Sequence, residues 1–187
     1  MATNIILPAT QAALKVERPG KVTIAESEPL PALGPHDVLV HNVCIGLNPF
    51  DCNSVDISPS VGATVGGDFA GKIAALGEEV PADRFQIGDR VFGCVFGNNP
   101  DHQQNGAFAK YVVVPADFVL RIPPNISFQQ AATLGIGLAT IGLALFKGLG
   151  LPMSFEDNKT TGKKPDIVLL YGGGTATGSL AIQVIRR

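Results

Sequence analysis

The chain has 187 residues, of which 45% are hydrophobic and 16% charged, with a formal net charge of −2. That length suffices for one domain and part of another, and the composition can bury a core, which excludes a disordered chain. No basic excess or Lys/Arg cluster offers a footprint for nucleic acid.

Met1–Thr10 has no basic flank followed by an apolar stretch, so no signal peptide is read there. Glycines and prolines then punctuate the first 125 residues, as in a domain of many short strands. Ala13–Val16 and Val22–Ile24 read as strands around the turn Arg18-Pro19-Gly20. After the breaker Gly34-Pro35, a longer strand runs from Val38 to Leu47. Gly71–Gly77 and Arg90–Gly93 are two more, and Tyr111–Val114 is an apolar strand stopped by Pro115. Strands at this density predict a barrel or sandwich over residues 1–125.

The pattern then changes. Ser127 and Gln130 have capping-box spacing before Ala131-Ala132. A second helix is predicted over Leu138–Leu149, ended by Gly150 and Pro152. The apolar run Leu134–Phe146 holds three glycines, ends at Lys147 and falls short of the roughly 18 residues that span a bilayer, so it reads as a core helix and no membrane segment is assigned. Residues 152–165 are a polar loop, completing a connecting region over 126–165. Ile167–Tyr171 reads as a buried parallel-type strand. A helix follows from Thr175, with Leu180, Ala181, Val184 and Ile185 on one face. Residues 166–187 thus form a strand–turn–helix unit, and the sequence stops within its helix. A lone unit of this kind cannot bury both faces of its strand. The expectation is a truncated chain, or a sheet completed by something else.

Gly172-Gly173-Gly174 at that turn let the backbone approach a pyrophosphate at the start of the helix, and Thr175, Thr177 and Ser179 add hydroxyls. The G-x-G-x-x-G spacing is not met. Thr177 holds the last glycine place counted from Gly172, and Thr175 the middle one counted from Gly173. No lysine follows the glycines, which argues against a Walker-type loop.

Several phrases carry a family resemblance. Asn48-Pro49-Phe50-Asp51, Gly66-Gly67-Asp68-Phe69-Ala70-Gly71, Ile87-Gly88-Asp89-Arg90-Val91, Gly106–Tyr111 and Ile122-Pro123-Pro124 resemble, in order, the medium-chain dehydrogenase/reductase superfamily. Tyr171-Gly172-Gly173-Gly174-Thr175-Ala176-Thr177 is similar to the Tyr-Gly-Gly-Ser-Thr-Ala-Thr signature of stand-alone, trans-acting enoyl reductases of fungal polyketide synthesis. The resemblance implies a fold of α+β / α/β class: a GroES-like β-barrel domain, then the first βα unit of an incomplete Rossmann-type domain. It implies reduction of an α,β-unsaturated polyketide thioester with NADPH, in partnership with a polyketide synthase or a hybrid synthase carrying a peptide-synthetase module.

Site residues carry over from the resemblance by position. Phe50, Asp51, Cys52 and Asn53 occupy a cofactor-contacting stretch, and Ala176, Thr177, Gly178 and Ser179 the pyrophosphate stretch. Thr140, Ile141, Gly142, Leu143, Ala144, Leu145, Phe146 and Lys147 occupy the helix lining the acyl channel, where interdomain packing is the competing role for most of them. No catalytic residue is assigned. Asp68 reads as a structural carboxylate, and Asp51 as a cap for the turn after Pro49. Many relatives carry lysine at the position of Asn53; asparagine keeps hydrogen bonding and loses the charge.

No metal is expected. A catalytic zinc needs three protein ligands and an open position. Gly67 stands where zinc-dependent relatives have histidine, no cysteine occupies the metal-ligand place just before Asn48-Pro49, and of the four close cysteines a structural zinc needs, residues 94–106 hold only Cys94. His41 and His102 read as surface or turn histidines, and Cys44 as a small core residue. Three cysteines, Cys44, Cys52 and Cys94, at irregular spacing give no disulfide framework. A reducing, cytoplasmic setting is expected. Alternatives are a quinone or enal reductase of the same superfamily, and a non-catalytic remnant that docks to a synthase. The resemblance also leads us to expect that the 187-residue chain alone binds NADPH weakly and turns over little.

Overall fold

The computed structural model describes residues 6–152 and 167–186. The chain divides into two compact units, Met1–Gly135 and Ile136–Arg187.

The first unit opens with a hairpin of β1 (Thr10–Arg18) and β2 (Lys21–Pro29). Gly20, at φ +68°, makes the turn that L-residues with a Cβ rarely adopt. A five-stranded antiparallel sheet follows, in the order β6-β3-β4-β5-β7. Its strands are β3 (Asp37–Gly46), β4 (Asp68–Leu76), β5 (Arg90–Cys94), β6 (Tyr111–Pro115) and β7 (Val119–Arg121). The β3–β4 register shifts twice, between Leu39 and Val40 and again between Asn42 and Cys44. Such bulges bend a strand and raise its twist, which curls the sheet. The hairpin is stitched to this sheet's connections by Leu14 N–H to Phe108 C=O (2.8 Å) and Val16 N–H to Ala63 C=O (2.9 Å). Lys15 also reaches across, donating to Thr64 Oγ1 and the Gln103 carbonyl (3.2 Å each) and pairing with Glu28 at 3.2 Å.

Strand alternation explains the core. Val38, Val40, Phe69, Ile73, Val91 and Val112 point to one side and are sealed by Phe85 and Val119. On the other side, Leu39, Ala74 and Val113 pack with Leu30. The strands predicted within residues 1–125 are all present, most with longer bounds, though β3 ends at Gly46 rather than Leu47. Pro115 stands within β6, on the edge of the sheet, where its missing N–H is tolerated.

Three elements of this region go beyond the predicted strands. The 3₁₀ turn Ala116–Phe118 and β7 are short additions. The larger one is α1 (Pro49–Ile57), capped by Asn48 with proline in its first turn. Only Asp51 and Val55 of its nine residues are buried, so it has little apolar periodicity to reveal it. The predicted capping box is present at α2 (Phe128–Ala131): Ser127 Oγ accepts from Gln130 N–H (3.2 Å), and Gln130 Oε1 accepts from Ser127 N–H (2.9 Å).

The second unit contains α3 (Gly135–Gly142, its first residue belonging to the first unit), a π-helical segment over Leu143–Gly148, and α4 (Ala176–Ile185). Ile141, Leu145 and Ala181 form its small core with Phe146, Leu180 and Val184 packed around them. The predicted face of α4 is therefore the one that packs. By length and composition the run Phe128–Gly148 could cross a membrane, but it is broken into separate helical pieces by a turn at residues 132–134.

The predicted helix Leu138–Leu149 is corrected at its end, where the final turn is π rather than α. The predicted buried strand Ile167–Tyr171 is also corrected. Residues 167–170 form no strand, and Ile167, Leu169 and Tyr171 are 97%, 94% and 103% exposed. A strand exists by pairing its backbone with a neighbour, and none lies alongside among the described residues. Of the predicted loop 152–165, all but Pro152 lies outside the described residues.

Candidate cofactor and substrate site

In the first unit the site is built where β3 ends. A Cβ on Gly46 would run into the Ala132 carbonyl oxygen, so glycine lets the strand end pass against α2. Two residues later Asn48 joins two carboxylates. Its backbone N–H donates to Asp51 Oδ2 (2.7 Å), and its side-chain amide donates to Asp68 Oδ2 (2.9 Å). Asp51 lies in the first turn of α1, and Asp68 is the first residue of β4. One asparagine therefore fixes the start of a helix to the start of a strand. Asp68 is 1% exposed, and it faces Gly135, where a Cβ would collide with its Oδ1.

The electrostatics follow from burial. Burial pushes the Asp51 carboxyl above its ordinary range, while the N–H groups of Asn48 and Gly67 pull it back. Asp51 Oδ1 has no hydrogen-bond partner among the described residues, so the Gly67 N–H faces the carboxylate without completing a bond to that oxygen. Cys94 pairs with Asp68 across the β4–β5 ladder. Burial, and then the Asp68 charge, push its thiol up, so it stays protonated at neutral pH and is no nucleophile.

Beside this network Phe50 and Phe96 lie with ring centroids 5.8 Å apart, 39% and 62% exposed. They present an aromatic surface next to the Asn48 bridge. Sequence reasoning singled out Phe50 and missed Phe96, which sits in the loop after β5. An exposed aromatic in a loop has no periodicity to announce it. The same loop is held by Asn98, in the left-handed region at φ 56°. Its side chain accepts from Ser60 N–H (2.7 Å) and donates to the Ser58 carbonyl (3.0 Å).

The carried-over residues of α1 divide by face: Phe50, Cys52 and Asn53 are exposed, while Asp51 points inward and caps the helix. In the second unit, Gly172 adopts φ +84°, and a Cβ on Gly178 would strike the Gly172 carbonyl oxygen. Thr175 locks this turn. Its hydroxyl accepts from Gly178 N–H (3.0 Å) and donates to the Gly172 carbonyl (2.9 Å). Ala176 and Ser179 are exposed, Thr177 is half-buried and Gly178 is buried. The first-turn N–H groups of α4 point along the axis without intrahelical acceptors, and a Cβ on Gly174 would meet open space. This is the form of a phosphate cradle. Within the predicted acyl-lining stretch, Thr140, Leu143, Ala144 and Lys147 are exposed. Ile141 and Leu145 are buried in the core, and Gly142 and Phe146 are half-buried.

Among the described residues, no group of three or more His, Cys, Asp or Glu side chains comes together to hold a metal ion. His41 stacks on Tyr111 (4.8 Å), and His102 is exposed near a turn. Cys44 is half-buried and Cys52 exposed, and all three cysteines are free thiols.

Residues 34–124 match the alcohol dehydrogenase GroES-like domain. Over 186 residues the chain is 53% identical to trans-enoyl reductase opdC of Penicillium oxalicum, covering 97% of this chain and 51% of that protein. The chain belongs to the medium-chain dehydrogenase/reductase superfamily. Trans-enoyl reductase iccB of Talaromyces variabilis is 48% identical over 189 residues, covering 96% of this chain and 50% of that protein. The chain thus spans about half the length of the curated relatives it matches. The fold is shared with an alcohol dehydrogenase superfamily protein from Novosphingobium aromaticivorans. The TM-score is 0.75 at 27% identity, over 95% of this chain and 50% of that one. The GroES-like match of this superfamily member spans β3 to β7, and so includes the Asn48 bridge, Asp68 and the Phe50–Phe96 pair.

Proposed function

We propose that this protein is a trans-acting enoyl reductase of secondary metabolism. It takes NADPH as cofactor, and an α,β-unsaturated polyketide thioester carried by a polyketide synthase or peptide-synthetase hybrid as substrate. The observation that carries the reading is the 53% identity to a trans-enoyl reductase along nearly the whole chain. On this reading residues 1–125 are the GroES-like domain, 126–165 the connection, and 166–187 the start of a Rossmann-type NADP-binding domain. The setting is the reducing cytoplasm, in keeping with three free thiols.

The glycine turn fits a dinucleotide, because its backbone is bare of Cβ atoms where a pyrophosphate would approach. Ala176 and Thr177 would meet the phosphates with their first-turn N–H groups, and Gly178 and Ser179, whose N–H groups bond Thr175, would complete the stretch by close backbone approach and a hydroxyl, with Thr175 keeping the turn closed. Phe50, Cys52 and Asn53 would offer one face of α1 to the cofactor, with Asp51 holding that helix in place from beneath. The exposed residues of Thr140–Lys147 would meet the acyl chain. A bound nicotinamide supplies the hydride for the β-carbon of the enoyl thioester. The protein's part is orientation, exclusion of water by the aromatic pair, and support of the charge that develops on the thioester oxygen.

The test is an assay of a folded chimera, in which residues 1–187 replace the matching part of a trans-enoyl reductase relative, with NADPH or NADH and either an enoyl pantetheine thioester or a simple quinone. The reading expects NADPH-dependent reduction of the thioester. Reduction of the quinone, with the thioester untouched, would overturn it.

A further inference from the structure

The helix ending at Gly148 carries two apolar patterns, and the structure uses one of them. In the π segment Leu143–Gly148, the Leu149 N–H donates to the Ala144 carbonyl (3.0 Å), five residues back rather than four. In an α register, Leu138, Ile141, Leu145 and Leu149 would share one face by three- and four-residue spacing. Phe146 would then fall beside Ala139 and Leu143, both exposed. In the π segment Phe146 is instead half-buried and packs against the cluster of Ile141, Leu145 and Ala181, while Leu149 is 61% exposed.

The sequence therefore supplies an apolar residue for the inner position in either register. The glycines around the segment hold neither register firmly. A Cβ on Gly142 would meet nothing, and one on Gly148 only ordinary contact with the Leu143 carbonyl. Sterics demand glycine at neither place, and each costs a helix about 1 kcal/mol relative to alanine. Gly150, at φ +65°, closes the end.

We propose that Leu143–Gly148 is a two-register switch. The π form holds Phe146 inside and Leu149 outside, and the α form exchanges them. Its use rests on the proposed role of Thr140–Lys147 as the acyl-lining stretch. In the α form Ala139, Leu143 and Phe146 make one outward apolar strip, so an apolar acyl chain lying on that strip favours the α form. A ligand shifts such an equilibrium only by its differential affinity for the two forms, which here comes from the outward Phe146 ring.

The experiment places a cysteine at Leu149→Cys and follows maleimide labelling at that position by peptide mass. The thiol should label as an exposed group in the otherwise native protein. Adding Phe146→Asn removes the inner residue of the π form and should slow labelling by about tenfold as position 149 turns inward. Phe146→Ala, a milder change, should slow it less. Labelling that is unchanged or faster in both variants would overturn the switch, faster labelling meaning local unfolding. A long-chain enoyl pantetheine thioester should slow labelling of the Leu149→Cys protein several-fold. If Phe146→Asn slows labelling and the thioester does not, the switch stands and the acyl-lining role fails.

Discussion

Asn48 does its work by standing between two acids. Its backbone N–H donates to Asp51 Oδ2 and its side-chain amide to Asp68 Oδ2, which locates the start of α1 against β4. Asp51 carries a cost here, because burial outweighs the N–H groups that favour its charge. A carboxyl raised above its unfolded value stabilises the fold fully only below that ordinary value, and the contribution is lost as pH rises through the raised one. Asp51→Asn, which mimics the protonated acid, should therefore gain on the wild type between acidic and neutral pH. The gap should be of order 1 kcal/mol at pH 7 and close toward the ordinary carboxylate range. Paired urea denaturation at pH 5 and pH 8 checks the sign; a gap that widens on acidification would contradict it. The capping role of Asp51 was legible from its place after Pro49. Phe96 and Asn98 were not, because their roles come from a ring contact and two loop bonds that no spacing encodes.

At the scale of elements, close backbone approach sets the tolerances. Gly46→Ala should cost about 1–3 kcal/mol, because the new methyl group meets the Ala132 carbonyl and must push α2 away from β3. A lowered urea midpoint with unchanged slope is the expected reading. Thr175→Ala removes the cap of α4 and should cost about 1 kcal/mol there, seen as faster amide exchange in that helix with the β domain unaffected. The strands of the first unit were legible because turns at Gly20, Gly34 and Pro115 bound alternating apolar runs. Helix α1 was not, since its stability comes from its cap and only two buried side chains. Ile167–Tyr171 failed in the opposite way. Its composition reads as a buried strand, but residues 167–170 pair with no neighbour among those described, and composition cannot create a neighbour.

At the scale of the molecule, the two compact units carry separate halves of the proposed chemistry. The first holds the carboxylate–asparagine bridge and the aromatic pair. The second holds the glycine turn and the helix with two registers. The GroES-like domain and the glycine turn were both readable as phrases, because each depends on backbone geometry that few residues permit. As proposed, these residues supply a working part of an enoyl reductase, and they span about half the length of the matched relatives. The most direct measurement replaces the matching half of the Penicillium oxalicum relative with residues 1–187 and follows NADPH oxidation with an enoyl pantetheine thioester. Thioester-dependent oxidation by the folded chimera is expected, within about tenfold of the unaltered relative. A folded chimera that binds NADPH and leaves the thioester unreduced would contradict it.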